Sequence, residues 1–554
     1  MTADTLACLL ERRAADDRPG LLFEDATWTW REVVAACRER AAALAGIGHV
    51  GVLCDNVPEL VFLIGAAALG GPVVVALNTT RSREELARDA RATDVDLLLW
   101  DPPYGQAAAS VGLPTLPLAG LPHATLPLAT PALATLPGAG LPHATPTESR
   151  EERGRANGDR APGELVMLIF TSGTSGTPRA VRITQRKIAI PGLSLGAMLT
   201  PDDVVYCSMP LFHSGALMAA LAPAVASGAA LAVRRRFSAS NLLPDIRRHG
   251  CTYLHYVGKA LSYVLATPPR QDDADNPLRI AFGNEGSASA TRRFGERFGC
   301  HVIDAFGSTE SAVSITPDPS GPAGALGRLP DGIEIRNPAT GERCVPAVMA
   351  DGRLANPDEA IGELVNVAGL GLFDGYYNDV AADAERVRQG AYWSGDLAYA
   401  DAGGYVYFAG RGTDRLRVDG ENLAVAPIEA ALREFGGVVE AAVYPVPDPA
   451  AGDQVMAALV LDGPFDPAAF AAFTARLGAK AVPRYVRLCE ELPQTPSHKV
   501  VKRVLVKEGW RTADPVWWRP PTRDATGFRS LTEEDISVIE DEFARHGRTH
   551  LLES

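Results

Sequence analysis

Cysteine is scarce and never paired. The eight in this 554-residue chain (Cys8, Cys37, Cys54, Cys207, Cys251, Cys300, Cys344 and Cys489) include no CxxC spacing. That gives no basis for a cysteine metal site or a disulfide framework and suits buried thiols in a reducing compartment. Positive charge is also in deficit. The formal net charge is −14, which argues against nonspecific attraction to nucleic acid or an anionic membrane. Long apolar runs are missing too. The most apolar early stretch, Val61 to Leu77, is interrupted by Gly65, Gly70, Gly71 and Pro72, and it reads as a buried helix followed by a strand, not as a membrane span. The acidic, mixed N-terminus lacks the basic start and apolar core of a signal peptide, so a cytoplasmic location is expected. The GxxxxGK[ST] spacing of a Walker loop is absent as well.

What is present suits a globular protein of two or more domains: 46% hydrophobic and 22% charged residues over a length beyond one ordinary core. Residues 28–100 alternate helix and strand patterns. WTWREVVAACRERAAALAG, ELVFLIGAAALG and REELARDARAT read as helices; GVLCDN, PVVVALN and DLLLW read as strands. This favours a parallel sheet covered by helices. From about 103 to 163 the composition shifts to Pro, Ala, Leu and Thr, then to charge, and GLPHAT occurs at 120–125 and again at 140–145. Two copies cannot stack into a solenoid. A flexible insertion is expected there, with no catalytic role for His123 or His143. A second α/β region follows residue 411, with strands in VVEAAVYPVPD, QVMAALVL and YVRLCEELP and a helix in AAFAAFTARLGA. The segment after 515 reads as a tail containing Trp517 and Trp518, with a helix near Glu533 to His546 begun by a capping-box-like Thr532 and Asp535.

The strongest local signal is LVMLIFTSGTSGTPRAVRIT. An apolar strand, Leu165 to Phe170, feeds a loop in which Thr171, Ser172, Thr174, Ser175 and Thr177 supply hydroxyls. Gly173 and Gly176 let an anion approach the backbone N–H groups. Such a loop can hold phosphates, although alone it could be an ordinary linker. Five further motifs follow in order: PLFHSG at 210–215, FGSTES at 306–311, YWSGDLAY at 392–399, GRGTDRLRVDGEN at 410–422 and LPQTPSHKVVKRVL at 492–505. With FTSGTSGTPRAV, this set resembles the adenylate-forming superfamily of acyl-CoA synthetases, peptide-synthetase adenylation domains and luciferases. GNEG at 283–286, GLFDGYYND at 371–379 and VDGEN at 418–422 look most like the fatty-acyl-CoA synthetases of the fatty-acid-transport-protein-like branch.

The resemblance implies roles for matched positions. Thr171 to Thr177 and Arg179 would cradle the ATP phosphates. Glu310, after Gly307, Ser308 and Thr309, would hold Mg2+ with Thr171, since a hard cation takes oxygen ligands; the same residues also suit a capping turn. Asp396 would accept hydrogen bonds from the ribose hydroxyls, with Arg411 nearby. Gly283, Asn284 and Glu285 would wall the adenine, on which Phe306 would stack. His213 would stand near the acyl path, with a packed core histidine as the competing reading. Lys499 would be the catalytic cation, stabilising charge as two anions meet, while Lys502 and Lys507 read as solvated. Arg411 to Arg417 would be the hinge between two orientations of the small domain, with Gly412 and Thr413 absorbing the change; the usual hinge acid is not at Thr413, although Asp414 follows it.

The expected fold is therefore α/β. A large domain over 1–411 comprises layered sheets, a β-barrel-like region and the insertion 103–163; a small mobile α+β domain covers 412–515, with a tail over 516–554. The expected reaction joins an acid, fatty or aromatic, to AMP, releasing pyrophosphate, and then passes the acyl group to coenzyme A. Nitrite activation for an aryl amine, a carrier-protein thiol as acceptor, and a catalytically inactive relative are the alternatives. The substrates are small molecules, with no nucleic acid. Four positions depart from the family pattern: Arg179 for a lysine, Gln185 for a histidine, Arg417 for a lysine and His498 for a glycine.

Overall fold

The structure is a computed structural model that describes residues 5–121, 160–171, 178–286, 288–322, 324–350, 353–411, 415–418, 421–450, 452–477, 480–495, 500–520 and 527–552. Its contact pattern divides the chain into two units. The first takes Met1–Gly286, Ala290–Ser314 and Gly369–Tyr392; the second takes Ile315–Ala368 and Trp393–Ser554, with the short Ser287–Ser289.

The first unit contains two sheets built on one plan. In one, the strands Thr115–Pro117, Leu97–Trp100, His49–Leu53, Val73–Ala76 and Leu165–Thr171 lie side by side and parallel, and Arg179–Thr184 closes the edge antiparallel. In the other, His301–Asp304, Ile280–Asn284, Tyr253–Val257, Val204–Cys207, Ala230–Val233 and Pro19–Phe23 are parallel, and Ala26–Thr29 closes the edge as a hairpin. Parallel strands need crossover helices, so both faces are covered and the strands read as apolar runs. One continuous core joins residues of both sheets, with Trp30, Ile64, Ile188, Leu217 and Val225 contributed by helices.

Local chemistry explains the helix starts. Thr29 caps Trp30–Ala43 through a reciprocal box with Glu32, and Ser82 caps Arg83–Ala92 through one with Glu85. The first box places Trp28 in the hairpin strand, opposite Leu21, so the helix begins two residues later than the apolar pattern suggested. The stretch Val61 to Leu77 resolves as expected into the end of the helix Pro58–Ala68 and the strand Val73–Ala76. No helix among the described residues is long and apolar enough to cross a membrane.

The start of the expected insertion is structured. Gly105–Ala109 is helical, Thr115–Pro117 adds an edge strand, and Leu118 and Leu121 are buried. Proline and alanine content pointed to a flexible segment, but pairing with Leu97–Trp100 supplies hydrogen bonds that composition does not reveal. Residues 122–159, with His123 and His143, lie outside the described residues.

In the second unit, Gly327–Arg328, Tyr405–Arg411, Ala391–Ala400, Gly362–Asn366 and Ile333–Arg336 form an ordered sheet. A second sheet runs Val438–Pro447, Asp453–Leu461, Tyr485–Leu488, Val516–Trp518 and Arg529–Ser530. The segment beyond 515 is thus part of the fold, and Trp517 and Trp518 pair with Val486 and Tyr485. The helix Glu533–Arg545 begins at the Thr532–Asp535 capping box, and its Ile539 and Phe543 enter a core with Tyr485, Trp510 and Trp518.

Candidate functional site

The strand Leu165–Thr171 delivers the phosphate-loop motif, and Thr171 pairs with Arg179 across the hairpin. Residues 172–177, hence Ser172, Gly173, Thr174, Ser175, Gly176 and Thr177, lie outside the described residues. Arg179 is buried. Its Nη2 meets Glu385 at 2.5 Å and its guanidinium lies 5.5 Å from the Tyr376 ring centroid. Its Nη1 is buried with no hydrogen-bond partner among the described residues, so one donor of the fork is unspent.

The outer edge of the same hairpin carries segment 375–377. Arg182 N donates to Gly375 O at 3.1 Å, Tyr377 N donates to Ala180 O at 2.8 Å, and Val181 bridges Tyr376. This pairing fixes Tyr376, whose hydroxyl donates to Glu310 Oε1 at 2.9 Å. Burial raises the Tyr376 phenol, Glu310 adding to the effect, so it acts as a donor. Asp374, one turn away, accepts from Thr184 Oγ1 at 2.6 Å and from Arg186.

Glu310 sits in a turn. Ser311 N donates to Ser308 O at 3.1 Å, Ser311 has φ of 55°, and Leu372 N donates to Ser311 O at 3.1 Å. The adjacent Thr309 Oγ1 is 2.9 Å from Ser214 Oγ. Two motifs a hundred residues apart, PLFHSG and FGSTES, therefore meet hydroxyl to hydroxyl. His213 precedes this contact as the residue before the helix Ser214–Ala216, and its carbonyl accepts from Leu217 N at 3.2 Å. Asn56 holds the motif from behind: its Oδ1 accepts from Leu211 N at 2.7 Å and its Nδ2 donates to Met209 O at 2.8 Å. Nothing in the local sequence distinguished Asn56, which stands in the turn after an apolar strand.

Gly283, Asn284 and Glu285 close the carboxyl end of the strand Ile280–Asn284. Asn284 O accepts from Gly258 N at 2.7 Å, and Glu285 is left-handed with φ of 63°. A Cβ on Gly258 would lie 1.7 Å from Glu285 O, so only glycine admits this approach. Beneath the turn lies Asp304, another residue that motif reading missed. Its Oδ2 accepts from Gly286 N and from the Tyr256 hydroxyl, both at 2.7 Å. Burial is the main cause that pushes its carboxyl up to about 7. The signal available in sequence was an acid ending an apolar strand two residues before Phe306, which is half-buried, with Gly307 exposed. On the opposite face of the neighbouring strand, His255 is 2% exposed. Its Nδ1 donates to Phe282 O at 3.2 Å and its Nε2 has no partner among the described residues; burial pushes the imidazole down to about 4.

In the second unit, Asp396 is buried on Ala391–Ala400 and lies opposite Arg411 in the antiparallel register with Tyr405–Arg411. The two positions expected at the ribose thus share one rung of a ladder. Ser394 Oγ accepts from Asp396 N at 3.1 Å, and Glu363 Oε1 accepts from Gly395 N at 2.6 Å. Residues 412–414 of the expected hinge and 496–499, including His498 and Lys499, lie outside the described residues. The base of the lysine loop is described: Gln494 bridges Val500, and Val501 N donates to Pro493 O at 2.7 Å. Lys502, expected to be solvated, instead pairs with Glu429 at 2.8 Å, a residue 73 positions earlier that no local pattern pointed to. No cluster of three His, Cys, Asp or Glu side chains is placed to hold a metal ion among the described residues.

Two family models match the chain. One, described as AMP-binding enzyme, covers residues 10–377; the other, the AMP-binding enzyme C-terminal domain, covers 427–499. The chain is 46% identical to a medium/long-chain-fatty-acid–CoA ligase, FadD17, of Mycobacterium marinum over 95% of this chain and 100% of that protein. It is 43% identical to the steroid-22-oyl-CoA synthetase of Rhodococcus jostii over 99% of both. Among solved structures, the o-succinylbenzoate CoA synthetase of Bacillus subtilis in complex with its acyl-adenylate aligns with a TM-score of 0.71 at 24% identity, covering 90% of this chain and 97% of that one. An anthranilate CoA ligase in complex with anthranoyl-AMP aligns with a TM-score of 0.75 at 19% identity, covering 91% and 97%.

Proposed function

The chain belongs to the AMP-binding enzyme family, an ATP-dependent adenylate-forming ligase by that membership, and from this premise we propose that it joins an acid with a large apolar body to coenzyme A. The acid is a medium- or long-chain fatty acid or a steroid side-chain acid, the classes named for its relatives at 46% and 43% identity. In the first step the carboxylate oxygen attacks the α-phosphorus of ATP, the α–β phosphoanhydride bond breaks, and pyrophosphate leaves. In the second, the thiol sulfur of coenzyme A attacks the acyl carbon, its proton goes to solvent, and AMP leaves.

The observation that carries the adenylation step of this reading is the convergence at Glu310, while the class of acid rests on the relatives alone. Its carboxylate takes the Tyr376 hydroxyl, the neighbouring Thr309 meets Ser214, and Arg179 leaves Nη1 unspent nearby against the same tyrosine ring. A hard oxygen donor beside an unspent buried guanidinium donor is a donor set that fits a metal–polyphosphate. We assign Glu310 and Thr171 to Mg2+, which when bound neutralises phosphate charge. We assign loop 171–177 and Arg179 to the phosphates, Gly283, Asn284, Glu285 and Phe306 to Ser308 to the adenine side, and Asp396 with Arg411 to the ribose. Lys499 is assigned the charge of the adenylation transition state and His213 the acyl path. A functional boundary near 411 and a cytoplasmic location belong to the same proposal; the two family models, which end at 377 and begin at 427, support the boundary.

No specific observation favours nitrite over a carboxylic acid. The test is pyrophosphate release with Mg-ATP and a panel of fatty acids, a steroid side-chain acid and nitrite, each with and without coenzyme A. Release with an apolar carboxylic acid, together with a thioester product, is expected. Release with nitrite alone would overturn the assignment.

A further inference from the structure

The helix Gln185–Gly196 carries Lys187 into the core of the first unit. The residue is 0% exposed, and its Nζ has no hydrogen-bond partner among the described residues. Nζ lies 6.0 Å from the Phe373 ring centroid; Phe373 meets Tyr376 edge-on at 5.2 Å between centroids, and Tyr376 donates to Glu310 at 2.9 Å. The lysine thus stands one aromatic layer behind the carboxylate assigned to the nucleotide. Burial pushes the ammonium down to about 8, with Glu310 first and Asp374 second opposing it and the charge of Arg186 adding to it. Asp374 is already engaged by Arg186 and Thr184. Glu310 has no direct ion pair among the described residues.

A buried ammonium without a direct partner is costly, and an apolar side chain of similar shape would fill the same volume without that cost. Its cation acts instead across a low-dielectric interior, where charges interact far more strongly than in water. The beneficiary is the site in front of Glu310. A carboxylate turned toward a polyphosphate repels it, and the repulsion is greatest before a metal ion is present.

We propose that Lys187 is a positioning residue that offsets the Glu310 charge through the protein interior, so that an anionic nucleotide enters a site built around a carboxylate. The proposal rests on Glu310 facing ATP. It assigns no contact between Lys187 and substrate.

The test is ATP affinity by titration calorimetry on the full chain, with EDTA and with excess Mg2+, for wild type, Lys187→Met, Glu310→Gln and the double variant. Lys187→Met is expected to weaken metal-free ATP binding about tenfold and Mg-ATP binding by a smaller factor, because the ion supplies positive charge of its own. In the Glu310→Gln background the same lysine substitution is expected to lower metal-free affinity by a similar factor, because the two charges act on the nucleotide additively. The melting temperature of Lys187→Met is expected at or above that of wild type, which a merely structural lysine would not give. Unchanged metal-free ATP affinity in Lys187→Met, or an equal loss with EDTA and with Mg2+, overturns the inference while leaving Glu310 assigned. If Glu310→Gln leaves Mg-ATP binding and pyrophosphate release unchanged, the assignment of Glu310 fails and the inference fails with it. Should Lys187→Met not fold, Lys187→Gln carries the same affinity expectations, without the one on melting temperature.

Discussion

The two sheets of the first unit share a plan and differ in where they keep their chemistry. The sheet ending in Arg179–Thr184 has strands such as HVGVL, VVVA, LLLW and LVMLIFT. These are apolar almost throughout, and the polar groups come after the last strand residue, in the loop from Thr171. The sheet containing Tyr253–Val257 buries polar groups inside its strands: His255 with one unpartnered nitrogen, Tyr256 on Asp304, and Tyr206 on Asp245. In the first sheet the hydroxyls belong to loop sequence outside the strands; in the second, side chains within strands hold neighbouring segments, as Tyr256 and Asp304 hold Gly286. Loop chemistry of the first kind is visible as composition. Interior props of the second kind look like ordinary strand residues until their partners are known.

The largest effect should come from loop-borne chemistry. Lys499→Ala is expected to lower adenylation by about 10²- to 10³-fold, the scale of removing one preorganised charge from a transition state, while ATP still binds and the melting temperature is unchanged. Pyrophosphate release within about threefold of wild type would remove Lys499 from its role and break the contrast at its loop end.

Next is the close approach of Gly258 to the turn 283–286, the turn assigned to the adenine side. Gly258→Ala sets a Cβ against Glu285 O, and overpacking against backbone costs roughly 1–3 kcal/mol or more. Loss of stability by denaturant titration should accompany weaker ATP binding, because the turn 283–286 must move. A stable variant with normal ATP affinity would show that the turn is not held by this approach.

A smaller effect should appear as a pH dependence. The Asp304 carboxyl is raised from 3.8 to about 7, mainly by burial. The unfolded chain releases this proton near 4 and the folded chain only near 7, so the associated stability is complete below about 4 and is lost as pH rises to 7. Asp304→Asn keeps an acceptor for Gly286 N and Tyr256 and removes the titration. Its stability should be flatter than wild type between pH 4 and 7. An unchanged slope would place the titration elsewhere.

The smallest effect concerns the repeat segment. Deleting 124–156 and joining the ends with a short Gly/Ser linker is expected to leave activity within about twofold. Cutting 112–145 is expected to destabilise the chain, because it removes the strand Thr115–Pro117 and the buried Leu118 and Leu121. Equal tolerance of both deletions would make that edge strand dispensable.

Particular residues show how much was legible. Thr532 with Asp535 reads as a helix start and is one; Thr29 with Glu32 and Ser82 with Glu85 are the same local pair three residues apart, which the apolar pattern passes over. The apolar runs became strands because burial on both faces demands such runs. Site reading found the motifs around Thr171, His213, Glu310, Asp396 and Lys499. It did not single out Asn56, Asp304, Tyr376 or Lys187: Asn56 holds Leu211, 155 residues on, Asp304 holds Gly286, 18 residues back, Tyr376 holds Glu310, 66 residues back, and Lys187 meets Phe373 only through its ring.

By itself the sequence determined the order of elements, the apolar interior of the strands and the identity of the loop groups, because each depends on neighbours a few residues apart. Only tertiary structure decided that Ser214 meets Thr309, that Asp396 shares a rung with Arg411, and that Lys187 is buried behind Tyr376 and Glu310. Those outcomes depend on strand register and helix packing, in which distant segments compete for the same interior space, and on the cost of leaving a buried polar group alone, which no local pattern records.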